Sequence, residues 1–76
     1  VITKRRRAIF DEVNTERNRQ DRKWGGKQHD SQHGVDDWVG YIYEHAQRAL
    51  DRDEQVTRKQ LVRVAALAVA ALENLP

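Results

Sequence analysis

The chain has 76 residues, 38% of them hydrophobic and 34% charged, with a formal charge of +2. That is one domain over residues 1–76, with a thin core. The absence of Cys excludes disulfide staples, thiol nucleophiles, thiolate zinc sites and iron–sulfur clusters, and no apolar run approaches the roughly 20 residues of a membrane span.

Charge is unevenly placed. Residues 1–27 carry nine Lys or Arg against four Asp or Glu, and residues 28–76 carry five against eight. A basic front half suits phosphate-bearing partners, nucleic acid among them. The same bases also interleave with acids, as on a solvated helix face. The cluster Lys4-Arg5-Arg6-Arg7 is followed by Ala8, Ile9 and Phe10 and then by acids, too short for the apolar part of a secretory leader. The expected location is the cytoplasm. The chain opens at Val1 rather than Met, which reads as a trimmed chain or a piece of a longer one.

The first predicted helix runs from about Thr3, its N-cap, to about Lys23. Ile9, Val13, Gln20 and Trp24 recur near helical spacing, with Phe10 beside them. The stripe is sparse, so this helix needs docking to be stable. Glu16 and Arg19 make an i,i+3 pair. Gly25-Gly26 ends the helix.

A loop follows over residues 25–35, GGKQHDSQHGV, with His29, Asp30 and His33 in it. It is long for a link in a small bundle, and such loops tend to carry function. The second helix is predicted from about Asp36 to Asp51. Val35, Trp38, Val39, Ile42, Ala46, Ala49 and Leu50 give the cleanest amphipathic stripe in the chain. Asp36 and Asp37 suit its positive end. Gly40 inside it predicts a close approach by another backbone or a ligand.

Thr57-Arg58-Lys59-Gln60 reads as a capping box, flanked by Val56 and Leu61 as a hydrophobic staple. The third helix then runs from about Arg58 to Asn74. Leu61, Val64, Ala65, Ala68, Ala71, Leu72 and Leu75 share one face, while Val62, Leu67 and Val69 lie on others. A helix apolar nearly all round wants burial on several sides. The expectation is an all-α, three-helix unit whose bundle is completed by homo-oligomerisation through the third helix, buried at Val62, Leu67 and Val69. A chain this small rarely draws enough stability from its own core.

Three constellations could carry chemistry. Arg19, Lys23 and Trp24 at a helix end suit a nucleotide, with the base on the indole and phosphates on the cations. Trp24 would equally serve to plug the end of the bundle. His29, Asp30 and His33 have metal-ligand chemistry, but a loop does not fix their spacing and no second pair completes a set. They equally fit a polar surface loop. Together with the loop glycines, they place any ligand pocket between Trp24–His33 and the second helix, near Glu44. Finally, Glu44-His45 faces Gln60 and Arg63 in the predicted register. Glu44 can pair with Arg48 along its helix or with Arg63 across helices.

The run from Glu16 through Arg19, Gln20, Asp21, Lys23, Trp24 and Gly25 to His29 resembles the opening of small phage and prophage proteins similar to MazG-type nucleotide pyrophosphohydrolases. Trp38 and the alanine-rich helix from Gln60 to Ala70 follow in the same order, so the resemblance covers roughly residues 12–75. It implies an all-α fold and a nucleotide or phosphate ligand. In that superfamily, acidic pairs on two helices hold Mg²⁺ on a triphosphate, since several carboxylates must neutralise the ion. Here only Glu44 matches. His45, Arg48, Gln60 and Arg63 stand where the other acids would be. The resemblance therefore implies a degenerate relative without Mg²⁺ or another certain cofactor, in which Arg48 and Arg63 supply the positive charge. The alternative is a non-enzymatic accessory protein that binds a protein or nucleic acid through the basic first helix.

Overall fold

The computed structural model describes residues 1–25 and 33–76. Those residues form three helices and no strand: α1 (Lys4–Trp24), α2 (Val35–Arg48) and α3 (Glu54–Glu73). The all-α fold is as the sequence predicts. Helix α3 is central, because both α1 and α2 pack mainly against it.

The ends of α1 follow the sequence reading. Thr3 Oγ1 accepts the Arg6 N–H at 3.0 Å. Gly25 closes the helix in the left-handed conformation at φ 89°, and its N–H donates to the Asp21 carbonyl. The apolar stripe starts later than predicted. Residues 1–11 are exposed on every side, Ile9 and Phe10 included, and burial begins at Glu12 and Val13.

Helix α2 begins one residue earlier than Asp36 and stops at Arg48, short of Asp51. Gly34 is the N-cap, and its N–H donates to Asp37 Oδ2 at 3.1 Å. The carboxylate thus holds the first turn from inside it. The buried face is narrower than the predicted stripe. Trp38 and Ala49 are buried, with Ile42 and His45 half-buried. Val35, Val39 and Leu50 point outward. Among the described residues no other backbone approaches Gly40: a Cβ added there would meet nothing within 4 Å.

Helix α3 starts one turn before the predicted position. Asp53 is the cap, accepting the Gln55 N–H at 2.9 Å, and Glu54 adds a favourable charge in the first turn. The predicted Thr57 cap is therefore inside the helix. Its hydroxyl donates instead to the Ala49 carbonyl at 2.7 Å, tying the end of α2 to the start of α3. Gln60 does not close a capping box either, since its side chain bonds His45 on α2.

The core is Trp38, Leu67 and Ala70, with Ile42 and Ala71 packed on it. Ala66 and Ala70 are fully buried, and their small methyl side chains let flanking helices come close to α3. Leu67, expected at an interface between copies, is 2% exposed within the single chain and sits in the core beside Trp38. Such burial contributes about 1.5–3 kcal/mol. Val62 is half-buried, and Val69 remains 39% exposed.

Helix α1 docks differently. Its two buried residues are Arg17 and Gln20. Arg17 Nε donates to Glu73 at 3.0 Å and Nη1 to Asp21 at 2.7 Å, so the guanidinium bridges α1 to the end of α3.

Candidate functional site

A groove of about 560 Å³ opens on the α1 side of α3. From α1 come Asp11, Glu12, Thr15, Glu16, Arg19 and Arg22, and from α3 come Gln55, Arg58, Lys59, Val62 and Arg63. Five cations face three carboxylates there, leaving the groove positive. The spacing explains the convergence. Residues 12, 16 and 19 share one face of α1, and 59 and 63 lie one turn apart on α3.

Two arginine forks in this groove are already held by carboxylates. Arg19 donates from Nε and Nη2 to the two oxygens of Glu16, at 2.7 and 2.8 Å. Arg58 grips Glu12 in the same two-pronged way across the helices. The Arg19 hydrogen bond holds the Glu16 carboxyl below its usual 4.5, with Gln20 and Arg63 acting in the same direction and burial opposing them. Glu12 is lowered by its bond to Arg58. Arg63 is bound less completely. Its Nε lies 4.0 Å from Glu16 Oε2, is buried, and makes no hydrogen bond. Among the described residues, Arg22 and Lys59 make no ion pair.

A second, smaller cleft of about 220 Å³ lies on the α2 side. Trp24, His33, Trp38, Tyr41, His45 and Leu67 line it. The rings of His33, Trp38 and Tyr41 meet edge to face, at centroid distances of 5.4, 5.6 and 6.3 Å. His45 Nδ1 is 2.7 Å from Gln60 Oε1. The Trp38 Nε1 donor is buried without a partner.

The residues that sequence reasoning gathered into one site are thus divided among three places. Arg19 and Arg63 come together in the charged groove. Trp24 and His33 line the aromatic cleft together with Trp38, Tyr41 and His45 of α2. Glu44 is in neither, because it pairs with Arg48 on an exposed face of α2. The predicted Glu44–Arg63 pair across helices is therefore not formed, and Arg48 and Arg63 do not converge on one ligand: α3 turns Arg63 toward Glu16 on α1. Lys23 stays outside both clefts, with Nζ 5.8 Å from the Trp24 ring centroid. His29 and Asp30 lie outside the described residues. Among the described residues, no three His, Asp or Glu side chains gather as a metal-binding group.

Sequence reasoning missed Arg22, Arg58 and Lys59 as neighbours of Arg19. The available signal was the pair Arg58-Lys59 one turn before Arg63. Placing the helix cap at Thr57 hid it, since both bases then fell at a helix end.

The described residues form an all-α fold with a net-positive groove on one side of its central helix and an aromatic cleft on the other. Among the described residues, no helix is long and apolar enough to cross a membrane. No protein-family model, curated protein or solved structure matches the chain.

Proposed function

We propose that this protein binds a phosphate-bearing small molecule, a nucleotide in the first place, in the groove between α1 and α3. In this reading it is a degenerate relative of the MazG-like pyrophosphohydrolases, without their Mg²⁺-dependent catalysis. It works in the cytoplasm as an assembly of copies joined through the third helix. The observation that carries the reading is the excess of cations in a groove of about 560 Å³, with Arg63 only partly held by Glu16. A phosphate offers several acceptor oxygens to guanidinium forks, which bind it in pairs. It would take the place of Glu16 and Glu12 on Arg19 and Arg58, and Arg22 and Lys59 would hold its outer oxygens.

Thermal melting in the presence of inorganic phosphate, pyrophosphate and nucleoside triphosphates tests this. A ligand that binds only the folded chain raises the melting temperature. The expected result is a rise with triphosphate that is lost in Arg63→Ala and Arg19→Ala. A parent protein indifferent to all three anions refutes it. The companion expectation is that no pyrophosphate is released from nucleoside triphosphates with Mg²⁺; turnover abolished by Glu44→Gln would refute that part.

A second reading rests on the first turn of α1. Lys4, Arg5, Arg6 and Arg7 stand there without an acid, all exposed. Cations at the positive end of a helix dipole oppose it, so this turn is better suited to an anionic partner than to the helix itself. Single-stranded and duplex nucleic acids are the probes. Binding that weakens steeply with salt and is lost when these four residues are replaced by Gln favours this reading.

A further inference from the structure

The aromatic cleft on the α2 side shares no lining residue with the phosphate groove. Among the described residues it takes in both tryptophans of the chain and no Lys, Arg, Asp or Glu. An ion leaving water for such a lining meets no counter-charge, which favours an uncharged ligand. Trp38 and Leu67 belong to the core, whereas Trp24, His33 and His45 are half-buried and Tyr41 is exposed. The cleft therefore reaches from the surface to the core. The rings of His33, Trp38 and Tyr41 stand at 71°, 85° and 87° to one another. No two of them stack face to face, so a further ring can join them edge to face. Size limits that ring. An apolar cavity of about 150 Å³ holds benzene, and pockets for drug-sized ligands begin at about 300 Å³. At about 220 Å³, the cleft takes one ring with small substituents and not a nucleotide.

Two polar groups set what the substituents must do. Trp38 Nε1 is a donor, buried and without an acceptor, a state that folded proteins rarely leave standing. His45 supplies the counterpart. Its Nδ1 lies 2.7 Å from Gln60 Oε1. A carbonyl oxygen only accepts, so neutral His45 carries its proton on Nδ1, and Nε2 is left as an acceptor. Trp38 and His45 lie two turns apart on one face of α2, a rise of about 10 Å. Two hydrogen bonds of about 2.9 Å take up part of that span, and a six-membered ring with groups at opposite corners covers the rest.

We propose that this cleft binds an uncharged, single-ring aromatic molecule with polar groups at opposite corners, one accepting from Trp38 Nε1 and the other donating to His45 Nε2. The site is separate from the phosphate groove, and neither reading depends on the other. Shape and polarity act together in it. The rings and Leu67 admit a flat apolar body, and the indole and imidazole fix which way round it lies. A site built round such partners rejects an analogue that lacks them, because its own donor and acceptor are then left unpaired.

The probes are hydroquinone, para-cresol and para-xylene, which share one shape and carry two, one and no hydroxyls. Binding is read from the indole N–H signals of an isotope-labelled chain by nuclear magnetic resonance. Only Trp24 and Trp38 give such signals, and Trp24→Phe tells them apart. Hydroquinone is expected to move the Trp38 indole proton downfield and to saturate, as a newly accepted hydrogen bond does. Para-cresol should bind about threefold to tenfold more weakly, the range of one hydrogen bond, and para-xylene more weakly again. No saturable shift with hydroquinone at tens of millimolar overturns the proposal. So does para-xylene binding as tightly as hydroquinone. Aromatic rings also hold cations, so tetramethylammonium binding more tightly than hydroquinone overturns it as well. His45→Phe should remove the preference for hydroquinone over para-cresol, and a preference that persists removes His45 from the site. The parent series decides the proposal even where that variant does not fold.

Discussion

The two interfaces of α3 are built from opposite materials. On the α2 side, Trp38, Ile42, Leu67, Ala70 and Ala71 exclude water. On the α1 side, the buried residues are an arginine and a glutamine, and pairs between Arg17 and Glu73 and between Arg58 and Glu12 cross between the helices. Apolar burial is indifferent to pH and strengthened by many salts, whereas ion pairs are screened and titrate. One small fold therefore contains a persistent helix pair and a third helix whose attachment answers to solution conditions. The proposed phosphate groove lies on the responsive side. An anion that competes for Arg58 would draw on a bond that seats α1.

The strongest challenge to this contrast is Trp38→Ala. Removing a buried aromatic costs about 3–5 kcal/mol, a large share of what a domain this size can have. Denaturant unfolding should show little folded protein even without denaturant. Leu67→Ala should cost about 2–5 kcal/mol by the same measurement.

Replacing Arg17 by Ala should cost less, about 1–2 kcal/mol, since its hydrogen bonds are charge-assisted but Asp21 and Glu73 are half-exposed and screened. The loss should fall on α1. Amides of α1 would exchange faster, while those around Trp38 and Leu67 keep their protection.

Acid should act on the same side. Glu16 and Glu12 have folded-state values lowered below 4.5 by Arg19 and Arg58. A lowered carboxyl stabilises the fold above its unfolded value and stops doing so as pH falls through its folded value. The melting temperature should therefore fall below about pH 4.5, and less steeply in Glu16→Gln. An equal fall in both would remove Glu16 from the account.

The smallest effect is expected at Gln20. It is buried, and its Oε1 accepts no hydrogen bond. Gln20→Leu should change stability by under about 1 kcal/mol, in either direction. A large loss would show that the polar side of α3 depends on Gln20 more than its bonds indicate.

Much of the fold was legible in the sequence because helix signals are local. Thr3, Gly25 and the i,i+3 pair Glu16–Arg19 need only their neighbours. What could not be read was rotation. Alanine can face inward or outward at little cost, so the run from Val64 to Leu72 left the inward face of α3 undetermined. The bulk of Trp38 decided it, by taking Leu67 and Ala70 as its contacts. Placing that face wrongly also misplaced Arg63, which the predicted register had facing Glu44. The start of α3 failed for a simpler reason. Asp53 and Thr57 are both good caps, and the earlier one adds a turn of helix.

The central helix is also the last of the three along the chain. During synthesis, α1 and α2 would leave the ribosome before the surface they share exists. A lone helix of α2's length is marginal in water, and α1 carries almost no apolar stripe of its own. Both must wait as fluctuating chain until α3 emerges, at a pace of about 5–20 residues per second. Folding is then a single late event, templated from the C-terminal side backwards. Until residue 54 is made, α1 and α2 lack the helix that both pack against.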